Sequence, residues 1–251
     1  MRASVRSKEF YLAALHRDGA VFRDAVTTPG ALDRPVPSCP GWTVARLVGH
    51  LGVVYDYQRA HFVRGEATKP THERTQPPEG EAVIAWWQDQ FNQTAVALER
   101  IDPNLPAWNW TVRPMKAIFW HRRMAQETAV HRWDAQVSVG TPEPIETELA
   151  IDGVEEVLDS FLPAGRRKGP DDKRGVVRLQ PTDAEAKWVV RVRGAGLSLL
   201  DTDTVFDDPP HAQAAAFGTA SDLLLALWGR VPLSVLTIQG EPELVSALRT
   251  G

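Results

Sequence analysis

The chain has 251 residues, enough for one large domain or two of ordinary size, and its 43% hydrophobic and 24% charged residues are typical of soluble globular proteins. The formal net charge of −4 gives no reason to expect a nucleic-acid partner, and no apolar run is long enough to cross a membrane. The polar first residues do not resemble a signal peptide. The single cysteine, Cys39, excludes an intramolecular disulfide and a Cys-rich zinc site. We therefore expect a cytoplasmic protein.

Apolar residues recur at helical spacing through the first 140 residues or so. The pattern predicts four helices, over 7–26, 44–62, 81–101 and 115–139. Thr43 is a suitable N-cap for the second helix, and Pro114 is placed to lie in the first turn of the fourth. Four helices with proline-rich joints indicate an antiparallel four-helix bundle over residues 1–143, and such bundles build metal sites from side chains that face their interior.

After Pro144 the pattern changes to shorter segments, several of which alternate between apolar and polar residues. The predicted elements are a helix over 146–161, antiparallel strands over 176–179, 188–193 and 197–200, further strands over 211–217 and 235–239, and two helices, one ending at 228 and one over 242–248. Ser221 or Thr219 is expected to cap the helix that ends at 228. Residues 144–251 therefore form a smaller α+β domain with its own core in this interpretation.

Glu127 and His131 are the most informative pair in the sequence. They are four residues apart in a predicted helix, so both side chains lie on one face, about one turn apart. A carboxylate and an imidazole in this arrangement can share a metal ion, although such pairs are more often weakly interacting surface residues. Two ligands do not complete a zinc site, so a metal here requires a third ligand from elsewhere in the chain.

His50 is the candidate third ligand, because the bundle would place the second helix opposite the fourth. It adjoins the apolar stripe of the second helix. An imidazole in that position is more often a hydrogen-bonded structural residue than a metal ligand, so the residue pattern leaves both roles open.

Three stretches resemble a known family. These are S-C-P-G-W-T-V at 38–44 followed by G-H-L at 49–51, E-T-A-V-H-R-W-D-A at 127–135, and G-T-A-S-D-L-L-L at 218–225 running on to W-G-R at 228–230. Together they are similar to the mycothiol-dependent maleylpyruvate isomerase family. The resemblance implies a DinB-like metal-binding four-helix bundle followed by a sterol-carrier-like α+β domain, and it extends over nearly the whole chain.

The resemblance implies that His50, Glu127 and His131 are the metal ligands. Two imidazoles and a carboxylate suit zinc with water in a fourth position, and iron, nickel or cobalt would also be accepted. The cofactor that the resemblance implies is mycothiol, the small thiol of actinobacteria, which would supply the nucleophilic sulfur so that the enzyme needs no cysteine of its own. A cation stabilises the thiolate near neutral pH.

We therefore expect a thiol-dependent isomerase or S-transferase that acts on a small electrophilic molecule. Addition of the thiolate to a maleyl-type alkene would leave a single bond that can rotate, and elimination would then release the trans product and the thiol. A substrate with a leaving group or an epoxide would instead undergo S-transfer. Two alternatives are a non-catalytic metal-binding protein whose second domain binds a ligand, and a metal-dependent hydrolase. Either a monomer or a homodimer is compatible with the sequence.

Three further residues are candidates for catalysis. Arg123, four residues before Glu127, is suited either to a substrate carboxylate or to an ion pair with Glu127, and Arg230 could reach a carboxylate from the second domain. Asp134 could orient a ligand or a neighbouring arginine, or form a surface ion pair. Secondary candidates are Arg46, in the matching position before His50, and Cys39, whose simpler role is that of a structural loop residue. The remaining histidines, with no identifiable partner, are His16, His61, His72, His121 and His211.

Overall fold

The computed structural model describes residues 6–200 and 212–250. Contacts divide the chain into two compact units, one of residues Arg6–Glu143 and the other containing the described residues from Pro144 onward. The predicted fold class, a helical bundle followed by a smaller α+β domain, is confirmed. Within the described ranges, no helix combines the length and the apolar character that a bilayer crossing requires.

The N-terminal unit contains the four expected helices. They are α1 (Lys8–Val26), α2 (Val44–Phe62), α3 (Ala82–Arg100) and α4 (Ile118–Val139). The side chain of Thr43 accepts a hydrogen bond from the amide of Arg46, so the predicted cap of α2 is confirmed. Gly140 ends α4 with a positive φ of 85°, a conformation that glycine adopts at little cost.

The start of α4 differs from the prediction, which placed Pro114 in its first turn. The helix begins at Ile118 because the preceding residues pair with the loop before them. Lys116 forms an isolated antiparallel bridge with Pro106, and the amide of Ala117 donates to the carbonyl of Leu105 at 2.9 Å. These backbone groups are therefore committed to the loop and cannot join the first helical turn.

The helices pack in four pairs around one core: α1 with α4, α2 with α3, α2 with α4, and α1 with α3. Large side chains fill this core, and Phe22, Leu51, Tyr55, Trp87 and Trp120 are all fully buried. Burial of one such side chain stabilises the fold by about 1.5–3 kcal/mol. The core fixes α2 against α4, and these are the two helices that carry the candidate metal ligands.

The C-terminal unit consists of helices and a five-stranded sheet. Its elements in chain order are α5 (Thr147–Glu156), a π-helical turn (Val157–Phe161), β1 (Arg174–Pro181), β2 (Trp188–Arg193), β3 (Gly196–Leu200), β4 (Ala214–Gly218), α6 (Ala220–Leu227), a 3-10 turn (Leu233–Val235), β5 (Thr237–Gly240) and α7 (Pro242–Ser246). Thr219 caps α6. Ser221 instead accepts a hydrogen bond from the amide of Ile145 at 2.9 Å. The predicted strand at 211–217 is present as β4, although His211 itself lies outside the described residues.

The sheet has the order β3-β2-β1-β4-β5 and is mixed. The prediction that the first three strands are antiparallel is confirmed. β1, β2 and β3 form an antiparallel meander, whereas β4 pairs with β1 in parallel. β2 occupies one edge of β1, and β4 pairs with the other edge. Alternation within each strand indicates which face is buried but not which strand lies next to it, so this pairing was not readable from the sequence.

Candidate metal centre

Three side chains from α2 and α4 converge on one point in the N-terminal unit. His50 Nε2 lies 3.5 Å from Glu127 Oε1, and His131 Nε2 lies 3.3 Å from the same oxygen. One ligand atom from each residue can be chosen so that all three lie within 4.8 Å of one another. The structure thus brings together the three residues that the sequence predicts as metal ligands.

The separations between these ligand atoms fit a zinc ion. Zinc bonds of about 2.0–2.1 Å in tetrahedral geometry place neighbouring ligand atoms about 3.3–3.4 Å apart. The two shorter separations, 3.3 and 3.5 Å, are close to that value. The donor set of two imidazole nitrogens and one carboxylate oxygen also suits zinc and its neighbours in the first transition row. The residues present therefore fit a divalent metal.

Asp134 contacts the ring of His131 and fixes its orientation. Its Oδ2 lies 2.8 Å from His131 Nδ1, and the carboxylate is fully buried. Because the Asp134 carboxylate accepts the Nδ1 proton, Nε2 is the ring nitrogen that faces Glu127, and it is the nitrogen that would bind a metal. Of the roles that the sequence left open for Asp134, the structure shows contact with the ligand and excludes the surface ion pair.

The carboxylate of Asp134 is itself held by the loop that precedes α2. Ser38 Oγ donates to Asp134 Oδ1 at 2.5 Å, and the Cys39 thiol lies 3.7 Å from Asp134 Oδ2. Sequence reasoning missed this contact. Its only signal was the S-C-P-G-W motif itself, because the partners are about 95 residues apart and no periodic pattern connects them.

Glu127 is oriented by Arg123, one turn earlier on α4. Arg123 Nη2 donates to Glu127 Oε2 at 2.9 Å, which leaves Oε1 directed at both imidazoles. Burial alone would raise the pKa of Glu127, but hydrogen bonds from His131 and His50 and the charge of Arg123 outweigh it and hold that pKa well below its usual range. Glu127 is therefore ionised at neutral pH, as a metal ligand must be.

His50 is the most accessible of the three ligands, with a side chain that is 36% exposed. It opens into a cleft of about 520 Å³ between α2 and the segment 76–80. The cleft wall is tight, because a Cβ atom at Gly49 would lie only 3.1 Å from the ring of Pro77. A volume of this size suits a small organic ligand.

Arg230 lies in the C-terminal unit, where its Nη1 donates to the carbonyl of Trp228 at 3.0 Å and its guanidinium lies 5.8 Å from the centre of the Trp228 ring. Its assignment to catalysis stays a prediction.

The other described histidines lie outside the metal group and have partners that the sequence did not reveal. His16 contacts Glu99 at 2.8 Å, and His72 contacts Asp56 at 3.2 Å.

The other two histidines contact backbone carbonyls. His61 Nδ1 lies 2.9 Å from the carbonyl of Tyr57. His121 is buried with both ring nitrogens 2.9 Å from backbone carbonyls, those of Ala117 and Leu98. Each of these residues has a structural explanation that does not involve a metal.

Two solved structures match the chain over almost its full length. They are the crystal structure of the mycothiol-dependent maleylpyruvate isomerase and that of a histidine-to-alanine mutant of the same enzyme. Each is 13% identical to this chain with a TM-score of 0.61, and each match covers 94% of this chain and 95% of the other. At this level of identity the likeness establishes the fold. No curated protein matches the chain.

Two family models match successive parts of the chain. The mycothiol maleylpyruvate isomerase N-terminal domain matches residues 12–136, and the MDMPI C-terminal domain matches residues 148–247. The first match contains all three candidate ligands, and the two together span most of the sequence. The chain therefore belongs to the mycothiol-dependent maleylpyruvate isomerase family and, as the sequence predicted, is an enzyme.

Proposed function

We propose that this chain is a metal-dependent enzyme that uses mycothiol as a thiol cosubstrate. The reaction is addition of the thiol to a small electrophilic molecule, which gives cis–trans isomerisation of the maleylpyruvate type or, with a different electrophile, S-transfer. The observation that carries this proposal is the convergence of His50, Glu127 and His131 on one point beside a cleft. We assign metal binding to a domain of residues 1–143 and regard residues 144–251 as a separate C-terminal domain.

The number of ligands favours catalysis over a structural metal. Structural zinc sites are almost always closed by four protein ligands, whereas catalytic sites use three and leave a position for water or substrate. Among residues 6–200 and 212–250, the candidate group consists of two histidines and one glutamate. Zinc is the metal we assign, because this donor set and these separations suit it.

A metal held here would stabilise the thiolate form of a thiol that binds it, which is the chemistry that the reaction needs. The chain's only cysteine does not serve as the nucleophile in this proposal. The thiol of Cys39 lies 3.7 Å from Asp134 Oδ2, the oxygen that contacts His131 Nδ1, and Cys39 is not among the residues that line the cleft beside His50. The sulfur therefore comes from a small thiol, and the family points to mycothiol.

The residues around the ligands have positioning roles in this proposal. Asp134 keeps the Nδ1 proton on His131, so that Nε2 is the nitrogen available to the metal. Arg123 holds Oε2 of Glu127, so we assign it to orienting that ligand, the second of the two roles considered for it. Arg230, in the C-terminal domain, remains our candidate for binding a carboxylate of the substrate.

For an isomerase substrate the atoms balance without any further reactant. The thiolate sulfur forms a bond to one alkene carbon, and the electron pair of the double bond moves toward the conjugated carbonyl. The former double bond is then single and rotates. Return of the electron pair expels the thiolate and restores the alkene in the trans form, so mycothiol is regenerated.

The test is turnover of maleylpyruvate by protein loaded with zinc, followed with and without mycothiol. We expect isomerisation that requires both zinc and mycothiol and that is lost in His50→Ala. A second arm uses a mycothiol analogue in which a hydroxyl replaces the thiol, and this arm should show no activity. Hydrolysis of maleylpyruvate in the absence of a thiol would instead support the hydrolase alternative. Absence of any thiol-dependent reaction with this substrate and with electrophiles that carry a leaving group would contradict the proposal.

A further inference from the structure

The cleft beside His50 carries a cationic group that the proposed reaction has not yet used. Arg46 lines this cleft, one helical turn before His50 on α2. No described residue forms an ion pair with its guanidinium, and its side chain is exposed. The other charged residue among those lining the cleft is Glu79, which lies on the opposite wall, in the segment 76–80.

An aromatic ring holds Arg46 in place. Its guanidinium carbon lies 4.9 Å from the centre of the Trp42 ring, and the Trp42 ring centre lies 4.9 Å from that of His50. The three side chains therefore form a continuous row that ends at a candidate metal ligand. Contact with an aromatic face orients a guanidinium while its N–H groups at the edge stay available to an acceptor.

We propose that Arg46 binds a carboxylate of the electrophilic substrate and so selects short anionic electrophiles. This inference rests on the proposed function, because it assigns the substrate class for the same site. A guanidinium presents paired N–H donors that match the two oxygens of a carboxylate. Glu79 on the opposite wall repels an anion there, so the carboxylate is directed to the α2 side.

The row of side chains limits the length of the substrate. The Arg46 guanidinium carbon and the His50 ring centre each lie 4.9 Å from the Trp42 ring centre, so they are at most twice that distance apart. A carboxylate bound by Arg46 therefore lies close to a group bound at the metal. The substrate class that fits is a short acid in which only a few bonds separate the carboxylate from the electrophilic carbon. Arg46 is in this account a positioning residue that fixes which end of the substrate approaches the thiol.

The test measures binding, so that it does not depend on turnover. Zinc-loaded protein is titrated calorimetrically with succinate, an unreactive short dicarboxylate, and with succinamide, its uncharged counterpart. We expect the unaltered protein to bind succinate about tenfold more tightly than succinamide, because a hydrogen bond between charged groups contributes roughly that much. Arg46→Met should remove this preference, and Arg46→Lys, which keeps the charge but not the paired donors, should retain part of it.

Arg100→Met is the matched control, because Arg100 is an exposed arginine at the end of α3 that does not line the cleft. It should bind succinate as the unaltered protein does. Equal binding of succinate by Arg46→Met and the unaltered protein would overturn the proposal, as would absence of any preference for the dicarboxylate in the unaltered protein. Loss of thiol-dependent turnover with normal succinate selectivity would instead count against the proposed function and leave the role of Arg46 intact.

Discussion

At the scale of single residues, the proposed metal centre depends on side chains that keep the candidate ligands in orientation. Asp134→Asn removes the negative charge but keeps the shape, so the Nδ1 proton of His131 loses its carboxylate acceptor. Loss of such a partner weakens metal affinity by about 10–100-fold. We expect this range in a competition assay with a zinc chelator, and a smaller loss for Ser38→Ala, which removes one hydrogen bond to Asp134. Unchanged zinc affinity in Asp134→Asn would show that the contact has no role in metal binding.

The ligands themselves give a second prediction at this scale. His50→Ala and His131→Ala should each lose bound metal while the purified protein stays folded, because two ligands hold zinc far more weakly than three. His16→Ala is the matched control, since His16 lies on the surface with Glu99. Elemental analysis and circular dichroism of the same samples measure both outcomes. Stoichiometric metal in either ligand variant would refute the assignment of three ligands.

The sequence predicted that His50, Glu127 and His131 lie together and offered Asp134 and Arg123 as residues that could orient them, but it did not predict the loop that holds Asp134. The spacing of Glu127 and His131 follows from helix geometry, and the G-H-L motif identified His50 through a family resemblance. The contacts of Asp134 with Ser38 and Cys39 were not predictable, because they depend on where a loop without periodicity meets α4. Local patterns report which face of a helix a residue occupies, whereas such contacts are decided by tertiary packing.

At the scale of secondary-structure elements, the approach of α2 to α3 depends on a missing side chain. A Cβ atom at Gly52 would lie 2.3 Å from the Trp86 ring, a distance at which either that ring or one of the two helices must move. Alanine gains about 1 kcal/mol of helix propensity over glycine, but overpacking costs about 1–3 kcal/mol. We therefore expect Gly52→Ala to lower the free energy of unfolding, measured by urea denaturation. An increase would mean that the propensity gain outweighs the steric cost and that this close approach is not required.

Helix boundaries and sheet order show where prediction from the sequence stops. Helices α1, α2 and α3 were predicted to within one residue at each end, because their apolar stripes and caps are local signals. The start of α4 was missed because residues before Ile118 pair with a distant part of the loop. The parallel pairing of β1 with β4 was missed for the same reason, since it joins segments that are far apart in sequence.

At the scale of the whole molecule, two buried histidines make the stability depend on pH. Burial lowers the pKa of His61 and of His121, and hydrogen bonds to backbone carbonyls offset only part of that effect. In both cases the unfolded chain binds a proton more readily than the folded chain. The free energy of unfolding therefore falls as the pH drops below the pKa of these residues in the unfolded chain, about 6.5. It rises again when the pH is raised above that value.

The corresponding experiment compares variants rather than absolute profiles, because other groups also titrate in this range. The free energy of unfolding is measured by urea denaturation at pH 7.5 and at pH 5.0. We expect it to fall less between these values in His61→Gln than in the unaltered protein, and likewise in His121→Asn. An unchanged or steeper fall in both variants would show that neither histidine is held neutral in the folded chain.

The central claim is that His50, Glu127 and His131 hold a metal that accepts the thiol of mycothiol. It is tested most directly with cobalt(II) in place of zinc, since the two ions accept the same ligands and a thiolate on cobalt absorbs strongly in the near ultraviolet. We predict that mycothiol produces this band, saturating at about one thiol per metal, that its alcohol analogue does not, and that His50→Ala shows no band. A cobalt-loaded protein whose spectrum does not respond to mycothiol, or a band of equal strength in His50→Ala, would contradict the account.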